Sequence, residues 1–146
     1  MFVGEYSHAI DEKGRMIMPA PYRRFLEEKG IKKVIITCGV GSCLVVYPPD
    51  EWIRTLEKIK DIPTAKKKVR NFIRKFCADA MECSIDEQGR LNISPRLRNL
   101  ANLSKEIVII GLIEKMEIWN KETWAQHYKS ISDTYEENVE NLDLGI

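Results

Sequence analysis

Two arginines, each directly after a tight turn, are the residues of this chain best suited to recognition chemistry. Residues 11–15 read Asp-Glu-Lys-Gly-Arg and residues 86–90 read Asp-Glu-Gln-Gly-Arg, so Arg15 and Arg90 hold the same place in two copies of one motif. A guanidinium can contact a phosphate or donate two parallel hydrogen bonds to the O6 and N7 edge of guanine. It can equally pair with the aspartate of its own turn and only fix that turn, an exposed ion pair that contributes little free energy. Both roles remain open, and one arginine can fill both.

Further bases accompany the two turns. Lys13 lies within the first turn where the second has Gln88, so the first turn carries more positive charge. Four more arginines follow the turns and either widen the positive surface or belong to a solvated helix face. They are Arg23, Arg24, Arg96 and Arg98.

Signatures of enzymes and of metal sites are weak. His8 and His127 are the only histidines, and neither belongs to a nucleophile or metal motif. The cysteines form one Cys-x4-Cys pair and one Cys-x5-Cys pair, whereas the pairs of structural zinc sites are usually separated by two to four residues. We therefore expect core thiols, with zinc as the alternative, and no catalytic residue, cofactor or small-molecule substrate. The four cysteines are Cys38, Cys43, Cys77 and Cys83.

The elements that must position the arginines begin with the turns themselves. Asp11 and Gly14 hold the first and fourth places of one turn, and Asp86 and Gly89 hold them in the other. This pattern is typical of a type I turn closed by a left-handed glycine, which joins two antiparallel strands through a bulge. A local hairpin is therefore predicted at each turn.

The rest of the unit alternates short helices with strands. Prolines predict a helix over residues 21–28, and apolar runs at 34–37 and 44–47 predict a second hairpin. Asp50 is predicted to cap a following helix. Residues 65–77 show an apolar stripe at helical spacing among six bases, a pattern more typical of a solvated helix face than of phosphate contacts.

Two blocks of the sequence recur in the same order. The turn motif repeats after 75 residues, and the block containing Trp52 repeats at Trp124 after 72. Duplication explains both, and we expect the recurring aromatic residues to serve packing or subunit contacts. The resulting prediction is a mainly β protein with short helices, divided into a first hairpin repeat (1–60), a basic linker helix (61–76), a second hairpin repeat (77–132) and an acidic C-terminal tail (133–146).

Charge is segregated along the chain although the net charge is only +1. Six bases and no acid lie between Asp61 and Asp79, whereas residues 133–146 contain five acids and no base. Any nucleic-acid site must therefore come from local segregation of charge. The first 14 residues do not have the pattern of a secretory signal, and the longest apolar run, 107–113, is too short to span a bilayer, so a cytoplasmic protein with a core strand at 107–113 is expected.

These motifs resemble the MraZ family. The resemblance rests on the two Asp-x-x-Gly-Arg turns, followed by Met-Ile-Met-Pro and Leu-Asn-Ile-Ser-Pro, and on the blocks Tyr-Pro-Pro-Asp-Glu-Trp and Trp-Asn-Lys-Glu-Thr-Trp. It covers the chain from Met1 to about Trp124. Asn92 departs from the family pattern, which usually has an apolar residue there.

The resemblance implies a duplicated AbrB/SpoVT-type swapped-hairpin module that forms a double-split β-barrel. It also implies homo-oligomeric rings and a nucleoid-associated regulator that binds double-stranded DNA at direct repeats and controls the operon for cell division and cell-wall synthesis. On this resemblance Arg15 and Arg90 lie on the DNA-facing surface. The alternative is an antitoxin-like module of the same fold that binds another protein and touches DNA only incidentally.

Overall fold

The computed structural model describes all residues from Met1 to Ile146 and consists of antiparallel strands and short helices. The strands are β1 (Glu5–Ala9), β2 (Arg15–Ile17), β3 (Lys33–Cys38), β4 (Leu44–Tyr47), β5 (Met81–Ser84), β6 (Arg90–Asn92), β7 (Glu106–Leu112) and β8 (Lys115–Asn120). The helices are α1 (Ala20–Glu28), α2 (Pro49–Lys60), α3 (Lys67–Asp79), α4 (Pro95–Leu100), α5 (Lys121–Asp133) and α6 (Tyr135–Val139). The mainly β fold with short helices is therefore confirmed.

Across each Asp-x-x-Gly turn the chain makes only the turn-closing hydrogen bonds and, at the second turn, one antiparallel bridge between Ile85 and Leu91. The flanking strands form their ladders with other partners, so the predicted local hairpins do not extend beyond the turns. β1 pairs antiparallel with β7, where Glu5 faces Ile110, and β5 pairs antiparallel with β3, where Lys33 faces Ser84. The strands that leave the turns, β2 and β6, pair with each other as a separate two-stranded ribbon. An exchanged strand makes the same kind of backbone ladder as a local hairpin, and the exchange also buries the apolar faces of the two repeats against each other.

An approximate two-fold axis relates the two repeats. The order of the large sheet, β1-β7-β8-β4-β3-β5, reads the same from either end when each strand is replaced by its repeat partner. At the centre of this sheet Val45 faces its repeat partner Glu117, and at the centre of the ribbon Met16 faces its repeat partner Leu91. Each repeat thus supplies an outer strand to the other's half of the sheet. The sheet is open, with β1 and β5 at its edges, and no closed barrel is seen.

The large sheet separates two layers of side chains. On one side Ile36 and Leu44 belong to the main core, which also includes side chains of the ribbon, α1 and α4; we call this the ribbon side. On the other side Tyr47 packs with Trp52 of α2 and Phe76 of α3, and α5 packs there against β8 through aromatic side chains; we call this the helix side. The turns and the basic helix α3 therefore lie in different layers.

The predicted hairpin between β3 and β4 is confirmed, and one helix start differs from the prediction. α2 begins at Pro49 after Pro48, and no side chain caps its first turn, so the predicted capping role of Asp50 is wrong. Proline suits the first helical position because its missing amide hydrogen needs no partner there. Asp50 instead lies in the first turn, where its charge complements the helix dipole. None of the six helices combines the length and apolar character that crossing a membrane requires.

Candidate nucleic-acid interface

The first turn is organised by one carboxylate. Oδ1 of Asp11 accepts hydrogen bonds from the backbone amides of Lys13 and Arg15, each at 2.9 Å, and Oδ2 accepts one from Nε of Arg15 at 2.9 Å. Gly14 closes the turn with a φ of +84°, a value that favours glycine. The same aspartate therefore shapes the backbone and orients the guanidinium.

The second turn repeats this geometry. Oδ1 of Asp86 accepts from the amides of Gln88 and Arg90 at 2.9 Å, and Oδ2 accepts from Nε of Arg90 at 2.7 Å. In both turns the arginine amide, followed by smaller effects that include its side chain, holds the pKa of the aspartate below its ordinary value. Both aspartates are therefore ionised at neutral pH, as the ion pairs require.

Each arginine keeps its outer nitrogens free. The ion pair uses Nε alone, and the terminal nitrogens of Arg15 and Arg90 make no hydrogen bond within the chain. The two arginine side chains are 35% and 29% exposed, so their terminal nitrogens can be reached from solvent, while the ion pair holds each guanidinium in one orientation. Such a group can donate to a phosphate or to a base edge with little further loss of side-chain entropy.

The outer face of the ribbon brings the two arginines together. Met16 and Leu91 point into the core, and the alternation along each strand leaves their neighbours on the outside. Across the ribbon Arg15 lies opposite Asn92, and Ile17 lies opposite Arg90. The chain therefore presents a small surface with an arginine at each of two opposite corners.

Each turn is locked onto the other repeat. The Gly14 carbonyl accepts a hydrogen bond from the amide of Ile93 at 2.7 Å, and the Gly89 carbonyl accepts one from the amide of Met18 at 2.9 Å. Arginine side chains of the other repeat pack over the same glycines, Arg98 over Gly14 and Arg23 over Gly89. The spacing between the two turns is thus fixed by contacts between the repeats.

The remaining predicted residues do not all join this surface. Lys13 lies at the tip of the first turn with an exposed side chain, and Arg24 is exposed on α1 with no partner in the chain. Nε of Arg98 donates to the Ile93 carbonyl at 3.1 Å, so this arginine also supports the turn. Arg96 is committed elsewhere, because it pairs with the buried carboxylate of Asp79 at 2.8 Å.

Asn92 and Ile17 complete the ribbon surface and were not among the predicted contact residues. Asn92 is polar whereas its repeat partner Ile17 is apolar, and that difference between the repeats is the signal that could have identified it. Ile17 gives no such signal, since an apolar residue in a short strand is normally expected to be buried. It is 49% exposed because Met16 takes the inward position of β2.

The cysteines and aromatic residues contribute to packing. Burial raises the pKa of the Cys43 thiol to about 12 and that of the Cys83 thiol to about 11. Cys77 is exposed, and no group of three or more potential metal ligands forms anywhere in the chain. Trp119 and Trp124 pack against each other with ring centres 5.4 Å apart, which agrees with the predicted packing role of the recurring aromatics.

Comparison with protein families gives a family model that matches each of the two repeats. The model of the MraZ protein family, which is described as antitoxin-like, matches residues 1–75 and again residues 76–144. The two matches in tandem agree with the duplication inferred from the sequence, and the boundary between them falls within α3.

Proposed function

This chain belongs to the MraZ family, and we propose that it is a sequence-specific DNA-binding regulator of transcription, whose ribbon presents Arg15 and Arg90 to double-stranded DNA. The observation that carries the proposal is the state of these two arginines. Each is oriented by an aspartate through Nε and keeps its outer nitrogens free at the surface. An arginine with only a structural role would need no such accessible donors.

The shape of the ribbon suits the major groove. A two-stranded antiparallel ribbon fits the width of that groove in B-DNA, and arginine recognises guanine there through two donors. The amide of Asn92 can recognise adenine, and Ile17 can contact the methyl group of thymine. Lys13 and Arg24 are suited to phosphates, which add affinity without sequence choice.

The proposal extends to architecture and assembly. We infer that the exchanged strands and the ribbon together form the double-split barrel of this family. Both outer strands, β1 and β5, leave backbone groups unpaired, and exposed strand edges favour association with further chains. We therefore expect a closed homo-oligomer with the form of a ring, as the family resemblance implies. We expect it to act at the nucleoid on the operon for cell division and cell-wall synthesis.

Replacing the two turn arginines one at a time tests whether the turns bind DNA. Arg15→Ala and Arg90→Ala should weaken binding to the DNA upstream of the chain's own gene by about 5- to 150-fold, as expected from ~1–3 kcal/mol per direct contact. Arg15→Ala should have the larger effect, because Lys13 makes the first turn more positive. The measurement is a gel shift over a range of salt, since phosphate contacts make affinity salt-dependent.

Arg54→Ala is the matched control for this test. Arg54 lies in α2 on the helix side, and its exposed side chain also pairs with an acid, Glu51. It should leave DNA affinity unchanged, and circular dichroism should show all three variants folded. If both turn variants bind like the wild type, the turns are not the DNA surface and their arginines are structural.

Assembly should determine how the operator is read. One small ribbon contacts few base pairs, so useful affinity should come from several subunits engaging DNA together. Neighbours in a ring present their ribbons in the same rotational sense, which suits direct repeats spaced by about 10 base pairs or a multiple. Inserting about 5 base pairs between repeats should abolish most binding, and an insertion of a full turn should cost less. Footprints that protect both insertions equally would contradict this mechanism.

The second candidate function is that of an antitoxin-like module that neutralises another protein. The family's description and the acidic residues 133–146 favour it. Against it, the described helices and strands occupy most of the chain, whereas an antitoxin is expected to carry a long recognition segment without fixed structure. Gel shifts without sequence preference at any salt concentration would favour the antitoxin-like function.

A further inference from the structure

An apolar groove with a basic rim lies on the helix side, across the large sheet from the arginine turns. It runs between α2 and α3, has a volume of about 790 Å³, and has Val45 and Tyr47 of β4 in its wall. The rest of its apolar lining comes from β3, the β3–β4 turn, α2 and the residues after it, α3 and the end of β7. These residues are Cys38, Val40, Ile59, Ile62, Phe72, Phe76 and Leu112.

The lining of this groove carries a net positive charge, because it contains four lysines and a single acid, Glu117. Lys58 and Lys68 make no ion pair, and Lys115 lies 5.6 Å from the centre of the Tyr47 ring. Lys75 is already paired with Asp79. The groove therefore favours an occupant that is apolar along its centre and negative at its edges.

Residues 134–146 of this same chain have that composition. Glu136, Glu137, Glu140 and Asp143 are exposed and make no ion pair. Leu142 and Leu144, between and beside these acids, are 56% and 60% exposed. The hydrogen bonds of this segment stay within it and the end of α5. None of its residues lines the groove of its own chain.

The two-fold relation between the repeats is broken at these two features. In the first repeat the chain continues from α2 into α3, where Phe76 stacks on Trp52 with ring centres 5.4 Å apart. In the second repeat the chain continues from α5 into the acidic segment, and Tyr128 of α5 stays 55% exposed. Each copy thus carries two different surfaces without a partner in its own chain, the groove and the acidic segment. Two different surfaces that bind each other join chains head to tail rather than symmetrically.

We propose that residues 134–146 of a second copy of this chain dock in the groove between α2 and α3. This inference rests on the homo-oligomer of the proposed function and assigns the surfaces that join neighbouring subunits. The apolar side chains of the segment enter the groove, and its acids meet the lysines of the rim. Because the contact is on the helix side, it leaves the ribbon of every subunit free for DNA.

Two full-length variants with reversed charges test the docking. The first variant reverses the charge of the groove rim and carries Lys58→Glu and Lys68→Glu. The second reverses the charge of the segment and carries Glu136→Lys, Glu137→Lys and Glu140→Lys. Each alone should weaken self-association by about tenfold or more, because like charges across an interface oppose binding. Lys29→Glu with Lys32→Glu, which changes the same number of lysines at the end of α1, is the control and should assemble like the wild type. The measurement is light scattering coupled to size exclusion.

An equimolar mixture of the two reversed variants gives the decisive result. The negative groove of the first variant then accepts the positive segment of the second. The unaltered basic groove of the second variant also accepts the unaltered acidic segment of the first, so assembly should return. A mixture that stays dissociated overturns the proposal. Docking of the segment in the groove of its own chain would give this result, because mixing two variants cannot repair a contact within one chain. Loss of DNA affinity without change of mass in the groove variant also overturns it, because the rim would then bind phosphates.

The same experiment separates this inference from the proposed function. A wild type that is monomeric contradicts the homo-oligomer itself, and the docking with it. A wild-type oligomer whose mass neither reversal alters contradicts only the docking. In either case the gel shifts with Arg15→Ala decide separately whether the turns bind DNA.

Discussion

At the scale of single residues, the turn aspartates show which contacts a sequence can reveal. The ion pair between Asp11 and Arg15 lies within five consecutive residues, so the residue types and spacing were enough to indicate it. The packing of Arg98 over Gly14 joins residues from different repeats and leaves no local pattern. Turn chemistry was therefore predictable, whereas the contacts that lock the turns in place were not.

The two turn glycines should differ in their tolerance of alanine. Both have positive φ, which costs an alanine about 1–2 kcal/mol. A Cβ at Gly14 would lie 2.5 Å from the backbone carbonyl oxygen of Ile93, whereas a Cβ at Gly89 would meet the flexible side chain of Arg23. We expect Gly14→Ala to lower the free energy of unfolding more than Gly89→Ala in urea titrations. Equal losses would contradict the clash with the backbone.

Asp79 should make stability depend on pH. Its carboxylate is buried, and hydrogen bonds from Lys75, followed by Arg96, hold its pKa below 3.8. A lowered folded-state pKa means that the ion pairs stabilise the fold above the ordinary aspartate pKa and are lost as the pH falls through the folded value. Asp79→Asn should therefore lower the free energy of unfolding at neutral pH by about 1–3 kcal/mol.

The difference between Asp79→Asn and the wild type should shrink as the pH is lowered from about 5 to about 2. Urea titrations of both proteins at a series of pH values measure it, and the ion pairs of the turns cancel because both proteins contain them. A difference that stays constant with pH would show that the carboxylate charge of Asp79 is not what stabilises the fold.

At the scale of elements, the sequence predicted the strands better than their partners. The apolar runs located β3, β4 and β7, and the predicted hairpin between β3 and β4 is present, with β7 and β8 forming the equivalent hairpin of the second repeat. Pairing across the Asp-x-x-Gly turns failed because the repeats contain similar strands, and a strand can form a similar ladder with either copy. Local turn signals cannot distinguish these partners, since the choice depends on the apolar surface that both repeats bury together.

The attachment of α3 should depend on one of its two stacked phenylalanines. Phe76 is 7% exposed, stacks on Trp52 and accepts a hydrogen bond at its carbonyl from the hydroxyl of Thr37. Phe76→Ala should lower the free energy of unfolding by about 3–5 kcal/mol, the usual loss for a buried phenylalanine. Phe72→Ala, at a position 44% exposed, is the control and should cost clearly less. Similar losses in urea titrations would mean that the stack does not anchor the helix.

At the scale of the whole molecule, the two repeats form one structure and not two domains in series. β1 of the first repeat completes the half of the sheet built by β7 and β8, and β5 of the second completes the half built by β3 and β4. The ribbon joins them again at Met16 and Leu91. Duplication was visible in the sequence, but this sharing was not, because similar repeats are compatible both with separate folds and with folds that exchange strands.

Separated halves should therefore not fold alone as monomers. Residues 1–75 lack the partner of β1, and residues 76–146 lack the partner of β5. Each fragment should show little sheet signal in far-ultraviolet circular dichroism at low concentration, and an equimolar mixture should regain the signal and elute as one species. A fragment that is folded and monomeric by size exclusion would contradict the shared sheet.

The exchange of outer strands also determines when each strand can pair during synthesis of the chain. Glu5 pairs with Ile110, so about 100 residues must be added before β1 meets its partner. At a translation rate of about 5–20 residues per second, the first repeat waits roughly 5–20 s with its edge open. In that interval the strand that corresponds to β7 is β3 of the same repeat, whose own edge stays open until β5 has been made. Translation of β7 and β8 is thus the step at which the first half of the protein, already made, acquires its final structure.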